Sequence, residues 1–298
     1  MLVGKYHVMP NEGVDVENSG ELILVATPIG NLSDASLRMI ETLKEADVVY
    51  CEDTRHSRTL LRAHQISAAG RLESLHEHNE VALCDVVIER VRRGERVALI
   101  TDAGTPGVSD PGYKVTAAVA AAGLRVTTIP GPSAVIAALS VSGLPTDRFV
   151  MEGFIPRKAS ERDELWARLT LEPRTIIMFE SPQRIGSSLI SMAQAWGDRR
   201  VVVARELTKM HEEVVRGSVS ELARRFSEQD TRGEIVVVLE GAAHRPAADD
   251  ETLRSALRDE LGSGRSLRDA ARSVAELYEV ANRRAYDLAL EIRSSKDV

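Results

Sequence analysis

Aromatic residues are scarce in this chain: Phe, Trp and Tyr make up 4% of its 298 residues. With Ala, Val, Leu and Gly plentiful beside them, that shortage suits layered α/β packing. Cysteine is almost absent, and Cys51 and Cys84 have neither metal-ligand spacing nor a partner framework. No disulfide scaffold is expected, and a reducing, cytoplasmic setting is the default. No apolar run approaches the roughly 18 residues that a membrane span needs, so no membrane association is expected. The first twenty residues lack a basic start followed by an apolar core, which excludes a secretory signal, and their polar, irregular composition predicts a mobile extension. Positive charge is also short, with a net charge of −7. A surface coated for nucleic acid is thereby disfavoured, although a local basic patch is enough for phosphate contacts. Composition alone points first to an enzyme of small molecules. The nearest approach to a metal motif is His76 and His78 in L-H-E-H-N-E. Two His at i, i+2 with no third partner at ligand spacing predict no metal.

What the chain does have is length and a hydrophobic content of 43%, enough for a sizeable core in two domains or one large one. Its organising stretch runs from Ala98 to Ala138. A strand, Val97 to Ile100, enters the loop T-D-A-G-T-P-G-V-S-D-P-G. A helix and a second strand, Arg125 to Ile129, follow, and then a second turn, P-G-P-S-A, opens a helix near Ser133. Gly and Pro set tight turns at the carboxyl ends of strands, where open α/β sheets place their ligands. Either loop alone passes for an ordinary βα turn. The first, however, carries Asp102, Thr105, Ser109 and Asp110, more polar groups than a turn requires.

Around that centre, strands are predicted at Glu21–Ala26 and Asp47–Cys51, with helices at Ala35–Ala46 (capped by Ser33 or Asp34), Arg58–His64 and Leu83–Arg93. Beyond a Gly/Pro hinge near Gly143 come strands at Phe149–Phe154, Thr175–Phe179, Arg200–Ala204 and Glu234–Leu239. They are interleaved with helices at Glu161–Leu169, Ile185–Trp196 and Val219–Phe226. This βαβ rhythm predicts mostly parallel sheets with right-handed crossovers. The expected organisation is an extension (1–20), two α/β domains (21–143 and 144–241), and a linker (242–250) leading into a charged helical tail that ends at residue 298. No internal repeat is present.

Four stretches together, L-V-A-T-P-I-G-N-L-S-D, Y-C-E-D-T-R, D-A-G-T-P-G-V-S-D-P-G and P-G-P-S-A, resemble the tetrapyrrole-methylase-like (class III) S-adenosylmethionine-dependent methyltransferases. Within that superfamily the likeness is greatest to the enzymes that methylate a cytidine 2′-hydroxyl in 16S rRNA of the 30S subunit. It covers about Glu21 to Gly241, and more weakly the tail, where a helix-turn-helix-like end is implied. The resemblance implies two α/β domains with S-adenosylmethionine in the cleft between them, a homodimer, and methyl transfer without metal. No strand followed by G-x-G-x-x-G argues for the Rossmann-type alternative.

By position in the motifs, the resemblance implies cofactor contacts at Pro28, Ala103, Gly104, Thr105, Val108, Ser133 and Ala134, with Glu180 and Leu207 across the cleft. Ser133 is also a good N-cap residue. Ala26 stands where many relatives have Gly, which implies a slightly narrower approach to the pocket. E-D-T-R-H-S-R alone reads as a solvated charged turn. Its place among the motifs implies instead that Glu52 or Asp53 takes a proton, with Glu206 in reserve. Arg55, Lys158, Arg184, Arg205 and Lys209 are implied to face the RNA. In the tail, ten basic residues balance eleven acidic ones over 243–298, and Arg265, Arg268 and Arg272 recur at helical spacing. Two other readings remain open from sequence: a class III enzyme acting on a tetrapyrrole precursor, and a non-catalytic RNA-binding module of ribosome assembly.

Overall fold

Short runs of Val, Ile, Leu and Ala set the architecture. The structure, a computed structural model, describes residues 20–243, 248–278 and 280–294. The expected N-terminal extension lies outside these residues except for Gly20, as does the middle of the expected linker. The chain forms two compact units that part after Gly241.

The first sheet is built by β1 (Glu21–Val25), α1 (Leu37–Glu45), β2 (Val48–Cys51), α2 (Thr54–Ala63), β3 (Leu72–Ser74), α3 (Glu80–Arg92), β4 (Arg96–Leu99), α4 (Tyr113–Ala121) and β5 (Arg125–Ile129). Its order is β3-β2-β4-β1-β5, and every pairing is parallel. The central strands are almost wholly apolar because both faces are covered. Ile23, Cys51 and Ala98 pack with Met39, Leu43 and Leu61 on α1 and α2. Leu22, Val97 and Leu99 pack with Val87, Val91, Val115 and Val119 on α3 and α4. Each fully buried Leu, Ile or Val of this kind contributes about 1.5–3 kcal/mol. With all strands parallel, the loops after β1, β2, β4 and β5 emerge at one edge, around the point where strand order reverses.

The second sheet follows α5 (Ala134–Ser142) and comprises β6 (Phe149–Phe154), α6 (Ala159–Leu169), β7 (Thr175–Glu180), α7 (Ile185–Trp196), β8 (Arg200–Arg205), β9 (Glu213–Ser218), α8 (Val219–Ser227) and β10 (Ile235–Leu239). Its order is β6-β7-β10-β8-β9, and only β6–β7 is parallel. The expectation of mostly parallel sheets therefore holds for the first and is corrected for the second. The cause is β9, a strand absent from the sequence prediction. It turns back on β8 after the loop 206–212, too short for the crossover a parallel pair needs. β10 then enters antiparallel between β7 and β8. Helices α6, α7 and α8 cover one face through Leu165, Trp166, Leu189 and Leu222. On the other face, Val135, Ala138 and Leu139 of α5 pack against Val202, Ala204, Val236 and Val238. Helix α5 thus joins the chain of one sheet to the core of the other.

Capping explains the shifted helix ends. Ser33 and Asp34 lie in a 3-10 turn capped by Asn31, while Ser36 caps α1 by accepting the Met39 N–H at 3.0 Å. Asp53 caps α2, so the helix starts at Thr54 instead of Arg58 and turns E-D-T-R into a helix entrance. In the second unit, α9 (Asp250–Gly262), α10 (Leu267–Leu277) and α11 (Asn282–Ser294) enclose Leu253, Leu257, Val274 and Leu288.

Candidate active site

The loop after β4 is held at three points. Gly104 pairs with Thr27: the Thr27 N–H donates to the Gly104 carbonyl at 2.8 Å, and the Gly104 N–H returns the bond at 3.1 Å. Gly104 has φ +93°, and a Cβ there would lie 3.5 Å from Ile29, so the backbone conformation demands glycine more than crowding does. Thr105 Oγ1 donates to the Pro132 carbonyl at 3.3 Å, tying this loop to the P-G-P turn. The third anchor comes from L-H-E-H-N-E. Glu80 is buried, and its Oε1 accepts the N–H groups of Gly112, Lys114 and Val115 at 3.0, 2.7 and 3.3 Å. A carboxylate thus replaces the missing partners at the start of α4, where negative charge is favoured. His76 and His78 meet edge to face at 6.0 Å. Among the described residues no group of His, Cys, Asp and Glu is disposed to hold a metal.

Between the two sheets of the first unit these loops wall a cleft of about 350 Å³. Seven of the residues implied as cofactor contacts line it: Ala103, Gly104, Thr105, Val108, Ser133, Ala134 and Glu180. Pro28 lines a smaller neighbouring cavity, and Leu207 is buried between α5 and the second sheet. Ser133 occupies the N-cap position of α5 but makes no capping bond with its side chain, leaving its hydroxyl on the cleft wall. Ala26 is buried with its methyl 3.1 Å from where Gly131 would carry a Cβ, and is not part of the lining.

Asp102, Ser109 and Asp110, marked in the sequence only as surplus polar groups, also line the cleft, together with the unforeseen Phe154, Phe179, Gly233 and Glu234. A signal for the aromatic pair exists: two of only four Phe stand at the carboxyl ends of adjacent parallel strands. Their rings lie 5.2 Å apart, and Phe154 is 63% exposed. Gly233 has φ +92°, and a Cβ there would fall 2.4 Å from the Glu206 side chain.

The acidic residues separate by environment. Burial is the main force pushing the Glu52 carboxyl above its ordinary value, and the nearby charges of Asp102, Asp110 and Asp53 add to it. Asp110 is likewise raised, chiefly by burial. Asp53 is held well below the carboxylate range by hydrogen bonds from the Arg55 side chain and backbone N–H, the latter at 2.7 Å. Glu206 is lowered by Lys209 Nζ at 2.8 Å and by the Glu234 N–H at 3.0 Å. Glu180 is buried, pairs with Arg184, and accepts from Ser188 Oγ at 2.5 Å and from the Ser181 N–H at 2.6 Å.

The basic residues divide too. Lys158 and Arg55 are exposed beside Glu161 and Asp53 respectively. Arg184 also donates to the Ile155 and Pro156 carbonyls at 3.0 and 3.3 Å, Arg205 to Glu213 at 3.1 Å, and Lys209 lies between Glu206 and Glu234. In the tail, Arg265 pairs with Glu260 and Arg272 with Asp269, both at 2.9 Å, while Arg268 has no ion pair among the described residues.

Residues 21–223, which include the parallel sheet and most of the mixed one around this cleft, match the family of tetrapyrrole (corrin/porphyrin) methylases. The same fold appears in a solved diphthine synthase, at TM-score 0.58 and 18% identity, covering 76% of this chain and 92% of that one. Nearer relatives share far more sequence. "Ribosomal RNA small subunit methyltransferase I" of Synechocystis sp. is 42% identical over 92% of this chain and 99% of its own length. The Mycobacterium tuberculosis H37Rv protein of the same name is 44% identical over 93% and 96%. The chain belongs to the tetrapyrrole methylase family and, within it, to the ribosomal RNA small subunit methyltransferase I group.

Proposed function

We propose that this protein transfers a methyl group from S-adenosylmethionine to the ribose 2′-hydroxyl of a cytidine in the decoding region of 16S rRNA, acting on the 30S subunit. The observation that carries the reading is the likeness, along nearly the whole chain, to relatives named for small-subunit rRNA methylation. The cleft fits the donor in its chemistry. Asp102, Asp110 and Glu234 offer negative charge to a cationic ligand, and the Phe154–Phe179 pair offers an apolar face to a heteroaromatic ring. Ser133, Thr105 and the backbone of Ala103 and Gly104 supply hydrogen-bonding groups on the facing wall. Glu180, whose carboxylate is bonded to α7 and Arg184, shapes the wall.

When bound, S-adenosylmethionine supplies a methyl group on a sulfonium leaving group. The work left to the protein is to hold the hydroxyl in line and to receive its proton. Asp53 and Glu206 are poorly suited to that task, because both carboxylates are held in the charged form by basic partners. Glu52 is the base in this reading, its proton affinity raised by burial and by Asp102 and Asp110 beside the cleft. Arg55 and Lys158, both exposed, are the phosphate contacts in this reading. Arg184, Arg205 and Lys209 support the site from within. A dimer of this chain, working without metal in the cytoplasm, completes the proposal.

The test is methyl transfer from labelled S-adenosylmethionine to 30S particles, followed by digestion of the rRNA to nucleosides. 2′-O-methylcytidine is the expected product. Label on a base, or on a tetrapyrrole precursor in preference to rRNA, overturns the assignment.

A further inference from the structure

Beside the donor cleft lies a second, smaller cavity of about 90 Å³, between the loop after β1 and the first turns of α2. Its walls include Pro28, Leu32, His56, Thr59 and Asp102. Asp102 lines both cavities, so the two adjoin at that residue. Resting on the function proposed above, we propose that this second cavity receives the nucleobase of the acceptor nucleotide, and that it admits a pyrimidine and not a purine.

Three observations lead there. The first is connectivity. In a nucleoside the 2′-hydroxyl sits on the carbon next to the one that bears the base. A base seated in the small cavity therefore keeps that hydroxyl within a few bonds of it, and the donor cleft adjoins the cavity at Asp102. The second is size. The cavity is about a quarter of the donor cleft, suited to one ring. The third is unused chemistry. Leu32 is 43% exposed although apolar. The His56 ring makes no hydrogen bond among the described residues. Thr59 Oγ1 donates to the Arg55 carbonyl at 3.4 Å, which leaves its lone pairs free to accept. An imidazole and an aliphatic side chain offer a stacking surface, and a hydroxyl acceptor suits the exocyclic amino group of cytosine. Enzymes that act on one nucleotide take it out of the stack and read it in a pocket of this kind.

Two variants and one ligand titration test the assignment. Thr59→Phe fills the cavity without touching the donor cleft. It should lower kcat/KM for 30S substrate by about 100-fold, the scale of a misplaced reactant. His56→Ala should raise KM for the RNA by about tenfold through lost stacking. In both, calorimetry should give S-adenosylmethionine affinity close to wild type, which also certifies the fold. Cytidine 5′-monophosphate should shift the His56 ring resonances in wild-type protein, and adenosine 5′-monophosphate should not. Wild-type RNA kinetics in both variants, or equal shifts with the purine, overturn the base pocket while the methyltransferase reading stands. Failure of the wild-type protein to methylate rRNA overturns that reading, and the base pocket with it.

Discussion

A carboxylate takes a proton from a weak acid only when its surroundings keep its proton affinity up, and Glu52 and Asp53 differ in this respect. Asp53 serves the backbone, capping α2 and chelating Arg55. Glu52 is half-buried near two further carboxylates. Since Glu52 must be ionised to act, turnover should fall as pH is lowered through its raised pKa, with a midpoint above the ordinary 4.5. Glu52→Gln should cut single-turnover rates about 100-fold or more and flatten that acidic limb. Asp53→Asn should leave the rate near wild type, because Asn caps a helix as well as Asp does. A retained acidic limb in Glu52→Gln, or a collapse in Asp53→Asn, would reverse the assignment.

Among the elements, the loop between β4 and α4 carries much of the proposed donor site, and one buried side chain secures it. Removing the Glu80 carboxylate leaves three backbone N–H groups without their acceptor, at a cost of about 1–3 kcal/mol for each that stays unpaired. We expect Glu80→Ala to lower the melting temperature by several degrees, to speed amide exchange selectively over 107–115, and to weaken S-adenosylmethionine binding. Glu80→Gln, which keeps an acceptor oxygen, should recover part of each loss. Uniformly faster exchange along the whole chain would show a general packing role instead of a local anchor.

For the whole molecule, the net charge of −7 means that RNA affinity has to come from local cations. In the three-helix unit Arg268 has no ion pair among the described residues, whereas Arg265 and Arg272 face acidic partners. Exposed pairs of this kind are weak and exchange readily for phosphate. Replacing all three arginines with Ala should reduce the slope of log affinity against log salt by about 2–3, given the contribution of each neutralised phosphate. Donor binding should be unchanged, since the cleft lies within the first unit. An unaltered salt slope, measured by filter binding to 30S particles, would assign this unit a different partner.

Four strands of the first sheet and the main loops were legible in the sequence because their signals are local, whereas the three-residue β3 was not foreseen. A fully buried parallel strand reads as a continuous apolar run, and a tight turn reads as Gly and Pro. β5, β6 and α7 were placed to the residue. The motifs carried the family, and seven of the nine implied cofactor positions line one cleft. Strand β9 escaped because Glu213, Arg216 and Ser218 interrupt its apolar positions, and its place in the sheet depends on pairing with β8. The divergence of Glu52 from Asp53 could not be read from adjacent letters, because burial and the arrival of Asp102 and Asp110 are products of folding. For the same reason L-H-E-H-N-E showed only two histidines and some acid in the sequence. The sequence by itself determined the strands, the turns and the chemical groups available. Only the tertiary structure decided which of those groups face the cleft and which are spent on the backbone, since burial and charge proximity depend on contacts between residues far apart in the chain.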